Sequence, residues 1–287
     1  MTAPLSRRLA HSGLMASIEP DPFQAGAYVL DVDGTPQSHI FPDHPDELFF
    51  EYIRRMGHVI DVAAPAGAAI TAIHLGAGAL TLPRYIEATR PGSRQQVIDI
   101  DRDLVDFVRE IFPLPPRASI RLRYGDAREV ITKLPAGLRH SADVITVDIF
   151  AGARTPAHVT TVEFFSEVAT LLATDGVVII NIADGPGLAY ARAQVATVAH
   201  VFPHVGVLAE AQVLKGRRFG NLVLVASNSP HVLEELPRLM ARGPHPASSL
   251  HGTELARFMG GALLTTDATA VPSPTPHKTI FQTSGKG

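Results

Sequence analysis

Ile70-Thr-Ala-Ile-His-Leu-Gly-Ala-Gly78 is an apolar run that stops abruptly in a glycine turn. It opens a series of such runs, followed by Gln95–Ile100, Ser119–Tyr124, Asp143–Ile149 and Val177–Ile182. Helix-length amphipathic stretches separate them, beginning near Leu80, Asp101, Asp126 and Thr160. Continuous apolar strands alternating with helices are buried on both faces, as in a parallel sheet with helices on either side. The fold class is therefore α/β, a doubly wound sheet. After a helix over Leu188–Val201, the runs His204–Ala209 and Asn221–Ala226 are joined by a basic turn without a helix, which predicts an antiparallel pair closing the sheet edge. That ending is typical of AdoMet-transferase-type sheets.

Upstream, Ala27–Val32 and Thr35–Phe41 flank Asp33-Gly34, a dipeptide suited to the positive φ angles of a tight hairpin. Leu48, Phe49, Tyr52, Ile53 and Met56 are spaced for a helix over Pro45–Met56, with Asp46 and Glu47 in its first turn. The expected organisation is a small N-terminal β unit with a linking helix over 1–57, an α/β domain over 58–260, and a mobile tail over 261–287. That tail is rich in Thr, Pro, Ser and Ala, and offers too little apolar surface to offset its ordering entropy.

Composition removes other classes. The 287 residues carry 25 Lys+Arg against 28 Asp+Glu, scattered along the chain, so there is no basic footprint for nucleic acid. Without cysteine there is no disulfide framework and no thiolate nucleophile or metal ligand, which fits a cytoplasmic protein. The histidines, among them His39, His44, His245 and His251, lack carboxylate partners at metal-site spacing, and no metal is expected. Met1–Glu19 lacks a secretory apolar core. The uncharged stretch Val62–Pro83 is broken by Pro65, Gly67, Gly76 and Gly78, so it reads as a soluble strand and turn, with no membrane partner.

In a doubly wound sheet, ligands bind beyond the carboxyl ends of the strands. Gly76 and Gly78 let the backbone approach a ligand closely, and the following helix offers free N–H groups. The third glycine of a dinucleotide fingerprint would fall at Thr81, which weakens an NAD reading. Asp99 ends the second strand, where a carboxylate can accept from both ribose hydroxyls, while Asp101 suits a helix N-cap. Asp126 can accept from an adenine amine or cap the next helix. Asp148 ends an otherwise apolar strand, so it is either a functional group or the partner of Arg154.

In order, Asp33-Gly34-Thr35-Pro36-Gln37, Asp46-Glu47-Leu48-Phe49-Phe50, the glycine turn, Ile98-Asp99-Ile100-Asp101, Gly125-Asp126-Ala127, Val147-Asp148 and Glu163-Phe164-Phe165 resemble the motifs of the spermidine/spermine synthase family of polyamine aminopropyltransferases. The similarity spans about Tyr28 to Ser227. The resemblance implies a small β domain before an AdoMet-type sheet, and a homodimer or homotetramer. It implies that Gln37 touches the sulfonium nucleoside, that Asp99 binds ribose, that Asp126 and Ala127 face adenine, and that Asp148 is the catalytic base. The co-substrate would be decarboxylated S-adenosylmethionine, not permanently bound, and the partner a small-molecule amine.

Two family carboxylates are missing. The family pattern Gly-Gly-Gly-Asp-Gly reads Gly76-Ala77-Gly78-Ala79-Leu80 here, and Asp-Ser-Thr-Asp-Pro reads Asp148-Ile149-Phe150-Ala151-Gly152. Phe50 replaces a common Tyr, and Glu51 replaces Gln or His. Glu51, Glu163 and Asp184 are the carboxylates that can compensate if they face the pocket; Phe50, Glu51 and Asp184 are thus candidates for binding the amine. The alternatives are an AdoMet-dependent methyltransferase on the same fold, or a non-catalytic nucleoside-binding relative of the family.

Overall fold

A computed structural model describes residues 5–275. Four strands, β1 (Leu5–Arg8), β2 (Met15–Pro20), β3 (Tyr28–Val32) and β4 (Thr35–Ile40), form an antiparallel sheet in that order. The β3–β4 hairpin turns at Asp33 and Gly34, with φ of 52° and 78°, and Asp31 accepts from the Gly34 N–H at 2.6 Å. The sequence reading found this hairpin but not β1 and β2. In those strands only Ala16 and Ile18 are buried, and the flanking arginines and glutamate mask the alternation.

Helix α1 covers Glu51–Val62, not Pro45–Met56. The aromatic residues expected inside it are taken up elsewhere: Phe49 stacks on His39 with centroids 4.0 Å apart, and Phe50 caps the helix in an extended conformation. Met56, Val59 and Ile60 of α1 join the core against Ile86, Val225 and Leu236. A boundary at residue 57 therefore cuts a helix that belongs to the main domain.

The main body follows as β5 (Thr71–Leu75), α2 (Thr81–Thr89), β6 (Arg94–Asp99), α3 (Arg102–Ile111), β7 (Ser119–Tyr124), α4 (Ala127–Thr132), β8 (Ala142–Val147), α5 (Val162–Ala169), β9 (Leu172–Asp184), α6 (Ala189–Val201), β10 (His204–Ala209), α7 (Ala211–Leu214), β11 (Gly220–Ser227), α8 (His231–Ala241), β12 (Ser248–His251) and α9 (Gly252–Met259). The eight strands lie in the order β12-β10-β11-β9-β8-β5-β6-β7. The five from β9 to β7 are parallel, and β11, β10 and β12 each pair antiparallel with their neighbour. The predicted antiparallel pair is present, but it lies inside the sheet: β12, whose Ser248-Ser-Leu-His251 carries little apolar signal, takes the edge. Phe164, Phe165, Val195 and Phe202 fill one face of the sheet, and Met56, Ile86 and Leu236 the other. No helix among the described residues is long and apolar enough to cross a membrane.

The N-terminal sheet lays Ala16, Ile18, Leu30 and Ile40 on Phe107, Val108 and Phe112 of α3 and its end. It thereby roofs the carboxyl ends of β5 and β6. At the other terminus, residues 261–275 are held rather than loose. Thr265 O accepts from the Val162 N–H at 2.9 Å, Asp267 pairs with Arg128 at 2.7 Å, and Ser273 is fully buried against Thr155. Hydroxyl and carboxylate groups fix this strap where apolar burial cannot. The rest of the expected mobile tail, 276–287, lies outside the described residues.

Candidate active site

Chain order reverses at β5, which has β6 on one side and β8 on the other. A cavity of about 540 Å³ opens there. It is lined by the turn after β5, the ends of β6, β7 and β8, Gln37 to His39 of β4, His11 and Ser12 of the β1–β2 turn, and part of segment 150–158. The turn is built by glycine. Gly76 has φ of +97°, and a Cβ there would collide with the Asp148 carbonyl oxygen. A Cβ on Gly78 would stand 2.7 Å from Ser38 Oγ, which accepts from the Ala79 N–H at 3.1 Å. The roof and the turn are thus joined by a hydrogen bond.

Asp99 closes the turn from the other side. Its Oδ2 accepts from Ala77 N–H and its Oδ1 from Asp101 N–H, both at 2.8 Å. Burial raises its pKa, and the two N–H groups offset part of that rise. Each oxygen keeps a free lone pair, enough for two vicinal hydroxyls. Asp101 caps α3, accepting from Leu104 N–H at 3.1 Å. Asp126 also caps its helix, accepting from Glu129 N–H at 3.2 Å, while its second oxygen meets His158 Nε2 at 2.6 Å. The capping alternative for Asp126 is therefore realised, and its place on the cavity wall is shared with His158.

Asp148 follows β8 and lines the same cavity. Burial pushes its pKa up to about 6, against a lowering by Asn181, whose Nδ2 donates to Oδ1 at 2.8 Å. Asn181 Oδ1 in turn accepts from Asn221 Nδ2 at 3.0 Å. Arg154 is not its partner: that guanidinium donates to the carbonyl oxygens of Ser273 at 2.6 Å and Pro272 at 3.2 Å. Burial, and then the Asp148 charge, push the Tyr52 phenol well above its ordinary range. On the floor, His74 bonds Thr146 at 2.9 Å and Gln95 at 3.0 Å, and burial lowers its pKa to about 4, so it is neutral.

A family model described as the spermine/spermidine synthase domain matches residues 76–205. The polyamine aminopropyltransferase of Neisseria meningitidis serogroup B is 28% identical over 230 residues, covering 79% of this chain and 81% of the relative. The crystal structure of a probable spermidine synthase from Corynebacterium glutamicum aligns at 31% identity and a TM-score of 0.81, over 93% of this chain and 97% of that one. The chain belongs to the spermine/spermidine synthase family. Spermidine synthase from Thermotoga maritima shares the fold, with a TM-score of 0.57 at 15% identity over 90% of this chain and 83% of that one. Members of the family are polyamine aminopropyltransferases.

Around the first cavity the chain brings together Gln37, Phe50, Gly76, Gly78, Asp99, Asp126, Ala127 and Asp148. Gln37 Nε2 donates to the Gly152 carbonyl at 3.4 Å, tying the roof to the covering segment. The proposed compensating carboxylates are elsewhere. Asp184 is buried and spends its oxygens on Gly185 N–H at 2.7 Å and Ala191 N–H at 2.8 Å, fixing the start of α6. Glu163 accepts from Asp267 N–H in the strap. Glu51 faces a second cavity of about 330 Å³ that shares Phe50 and Tyr52 with the first. Ala79 is packed beneath the N-terminal sheet and does not line the cavity, and Leu80 adopts φ of 60°, where the family pattern has glycine.

Tyr52, Asn181, Asn221, His74 and Ser38 escaped the sequence reading. Asn181 and His74 left a signal, as polar side chains inside the apolar runs Val177–Ile182 and Ile70–Leu75.

Proposed function

We propose that the protein transfers the aminopropyl group of decarboxylated S-adenosylmethionine to an amine, with Asp148 as the base. The observation that carries this reading is Asp148 itself, a carboxylate on the cavity wall with a pKa near 6 and no cationic partner. At neutral pH it is ionised, and it is a stronger base than an exposed aspartate.

Asp99 would accept from the ribose hydroxyls while its other lone pairs hold the glycine turn. Ala127 and the Asp126 wall would flank adenine, and Gln37 would lie over the sulfonium. The amine nitrogen then attacks the methylene beside sulfur. A C–N bond forms, the C–S bond breaks with its electron pair going to sulfur, and methylthioadenosine leaves. The proton lost by the amine passes to Asp148. Holding the two reactants in line supplies much of the remaining acceleration.

A methyltransferase reading is favoured by one observation: Ala79 presents no carboxylate to the cavity, so nothing at that position selects against the carboxylate of S-adenosylmethionine. Parallel calorimetric titrations with decarboxylated S-adenosylmethionine, S-adenosylmethionine and methylthioadenosine separate the two. Tighter binding of the decarboxylated form and methylthioadenosine is expected. Preference for S-adenosylmethionine, with adenosylhomocysteine as product, would overturn aminopropyl transfer.

A further inference from the structure

The second cavity adjoins the nucleoside cavity. It shares Phe50 and Tyr52 with the nucleoside cavity, and Asn221 on its wall leads through Asn181 to the Asp148 carboxylate. An amine with its nitrogen at Asp148 would have its far end on the side of Tyr52 that this cavity borders.

Its charges do not suit a plain diamine. Among the described residues that line it are two carboxylates, Glu51 and Glu210, and two guanidiniums, Arg55 and Arg218. Glu210 is paired with Arg218, and Glu51 with Arg55 at 3.4 Å. Each carboxylate is thus matched by one guanidinium, and the lining carries no surplus negative charge for a second ammonium.

Arg55, in contrast, is under-used. Its side chain is only 2% exposed, Nε has no partner, and its contacts to Glu51 and to the Pro244 carbonyl are both long, at 3.4 Å. A guanidinium offers five N–H donors in a rigid fork that matches a carboxylate. One buried in this way costs free energy until an anion meets it.

We propose that this cavity takes the carboxylate of the acceptor, so that the substrate is an amino carboxylate rather than a diamine. Arg55 and Arg218 receive the carboxylate, and Asp148 receives the amine at the other end. The inference rests on the aminopropyl reading above. The bonds exchanged are the same, and the product is an N-(3-aminopropyl)amino carboxylate with methylthioadenosine.

The test uses two acceptors of equal length, 4-aminobutyrate and 1,4-diaminobutane, with decarboxylated S-adenosylmethionine and methylthioadenosine release as the readout. A charge-assisted pair predicts a kcat/KM at least roughly tenfold higher for 4-aminobutyrate. Arg218→Gln, at a half-exposed site, is expected to raise KM for 4-aminobutyrate about tenfold and to collapse the ratio between the acceptors by the same factor, with partial recovery in Arg218→Lys. A preference for 1,4-diaminobutane, or an equal loss on both acceptors in Arg218→Gln, overturns the inference and leaves aminopropyl transfer standing. If neither amine turns over, aminopropyl transfer fails. Calorimetric titration of 4-aminobutyrate into protein loaded with methylthioadenosine then decides whether the cavity takes a carboxylate: binding that Arg218→Gln abolishes upholds that assignment, and no binding overturns it.

Discussion

The two cavities that meet at Phe50 and Tyr52 hold their charges by different means. In the nucleoside cavity the carboxylates stand at strand ends and are fixed by backbone N–H groups: Asp99 by Ala77 and Asp101, Asp126 by Glu129. In the second cavity the carboxylates are fixed by guanidiniums brought from α1 and from the β10–β11 connection. A carboxylate held by the main chain stays an acceptor for a neutral hydroxyl or a cation. In a pair with arginine both charges are met, and what remains for a ligand is the unpartnered Nε of Arg55. Asp148 belongs to neither set. Its one side-chain bond is to an amide, which leaves its charge without a cationic partner.

That contrast breaks first at Asp148. Asp148→Asn keeps an oxygen for Asn181 but removes the base, and general-base catalysis is worth about 10²–10⁴-fold. We expect kcat for methylthioadenosine formation to fall by that factor, with methylthioadenosine affinity within a few-fold of the parent. Full retained turnover would remove Asp148 as the base. In the parent, kcat/KM should rise with pH through about 6 as the carboxylate ionises.

The same substitution has a stability counterpart. The folded state raises the Asp148 pKa from 3.8 to about 6, so it binds the proton more tightly than the unfolded chain does. Stability contributed by this group is complete below about pH 4 and is lost as pH rises through 6, to a cost of about 3 kcal/mol at neutral pH. Asp148→Asn should therefore be more stable than the parent at pH 7, by up to about 3 kcal/mol in denaturant titration, and equal to it near pH 4. A gain independent of pH would show that burial of this charge is not the cause.

Asp99→Ala comes next, because it removes a ligand acceptor and a structural one together. Hydrogen bonds to charged groups contribute about 1.5–3 kcal/mol, so methylthioadenosine affinity should drop roughly 10- to 100-fold by calorimetry. The Ala77 and Asp101 N–H groups also lose their acceptor, and we expect a lower thermal midpoint. The corresponding change in the second cavity, Glu51→Ala, removes the carboxylate partner of the buried Arg55, and should lower the thermal midpoint while leaving nucleoside affinity unaltered.

How far the sequence revealed each cavity follows from the same contrast. The nucleoside cavity was legible because its groups sit at fixed places relative to strands that hydrophobic patterning locates: Gly76, Asp99, Asp126 and Asp148 each follow an apolar run. Of the second cavity only Phe50 and Glu51 were singled out, because residues near 36, 55 and 210–221 join them only through the order of the sheet, with β11 inserted between β9 and β10. Asp184 shows the converse error. It too ends a strand, but the turn after it brings Gly185 and Ala191 N–H groups to its oxygens, and no periodicity distinguishes a cap from a ligand. The strap over 261–275 was missed because hydroxyls hold it, and Thr and Ser carry no apolar signal.

The smallest effect tests whether the strap steadies the nucleoside cavity. Ser273 and Thr155 exchange two hydrogen bonds, Ser273 N–H to Thr155 O at 3.0 Å and Thr155 N–H to Ser273 Oγ at 2.8 Å, while Arg154 donates to the carbonyls of Pro272 and Ser273. These contacts anchor the segment whose Gly152, Pro156 and His158 line the cavity. Ser273→Ala leaves a buried Thr155 N–H without an acceptor, which costs about 1–3 kcal/mol if the strap stays in place. The segment can instead loosen, and a wall of the nucleoside cavity then has to be ordered when ligand binds. In that case KM for the nucleoside rises several-fold while kcat, set at Asp148, is kept. A fall in kcat with KM unchanged would show that the strap positions the reacting groups themselves and not only the wall around them.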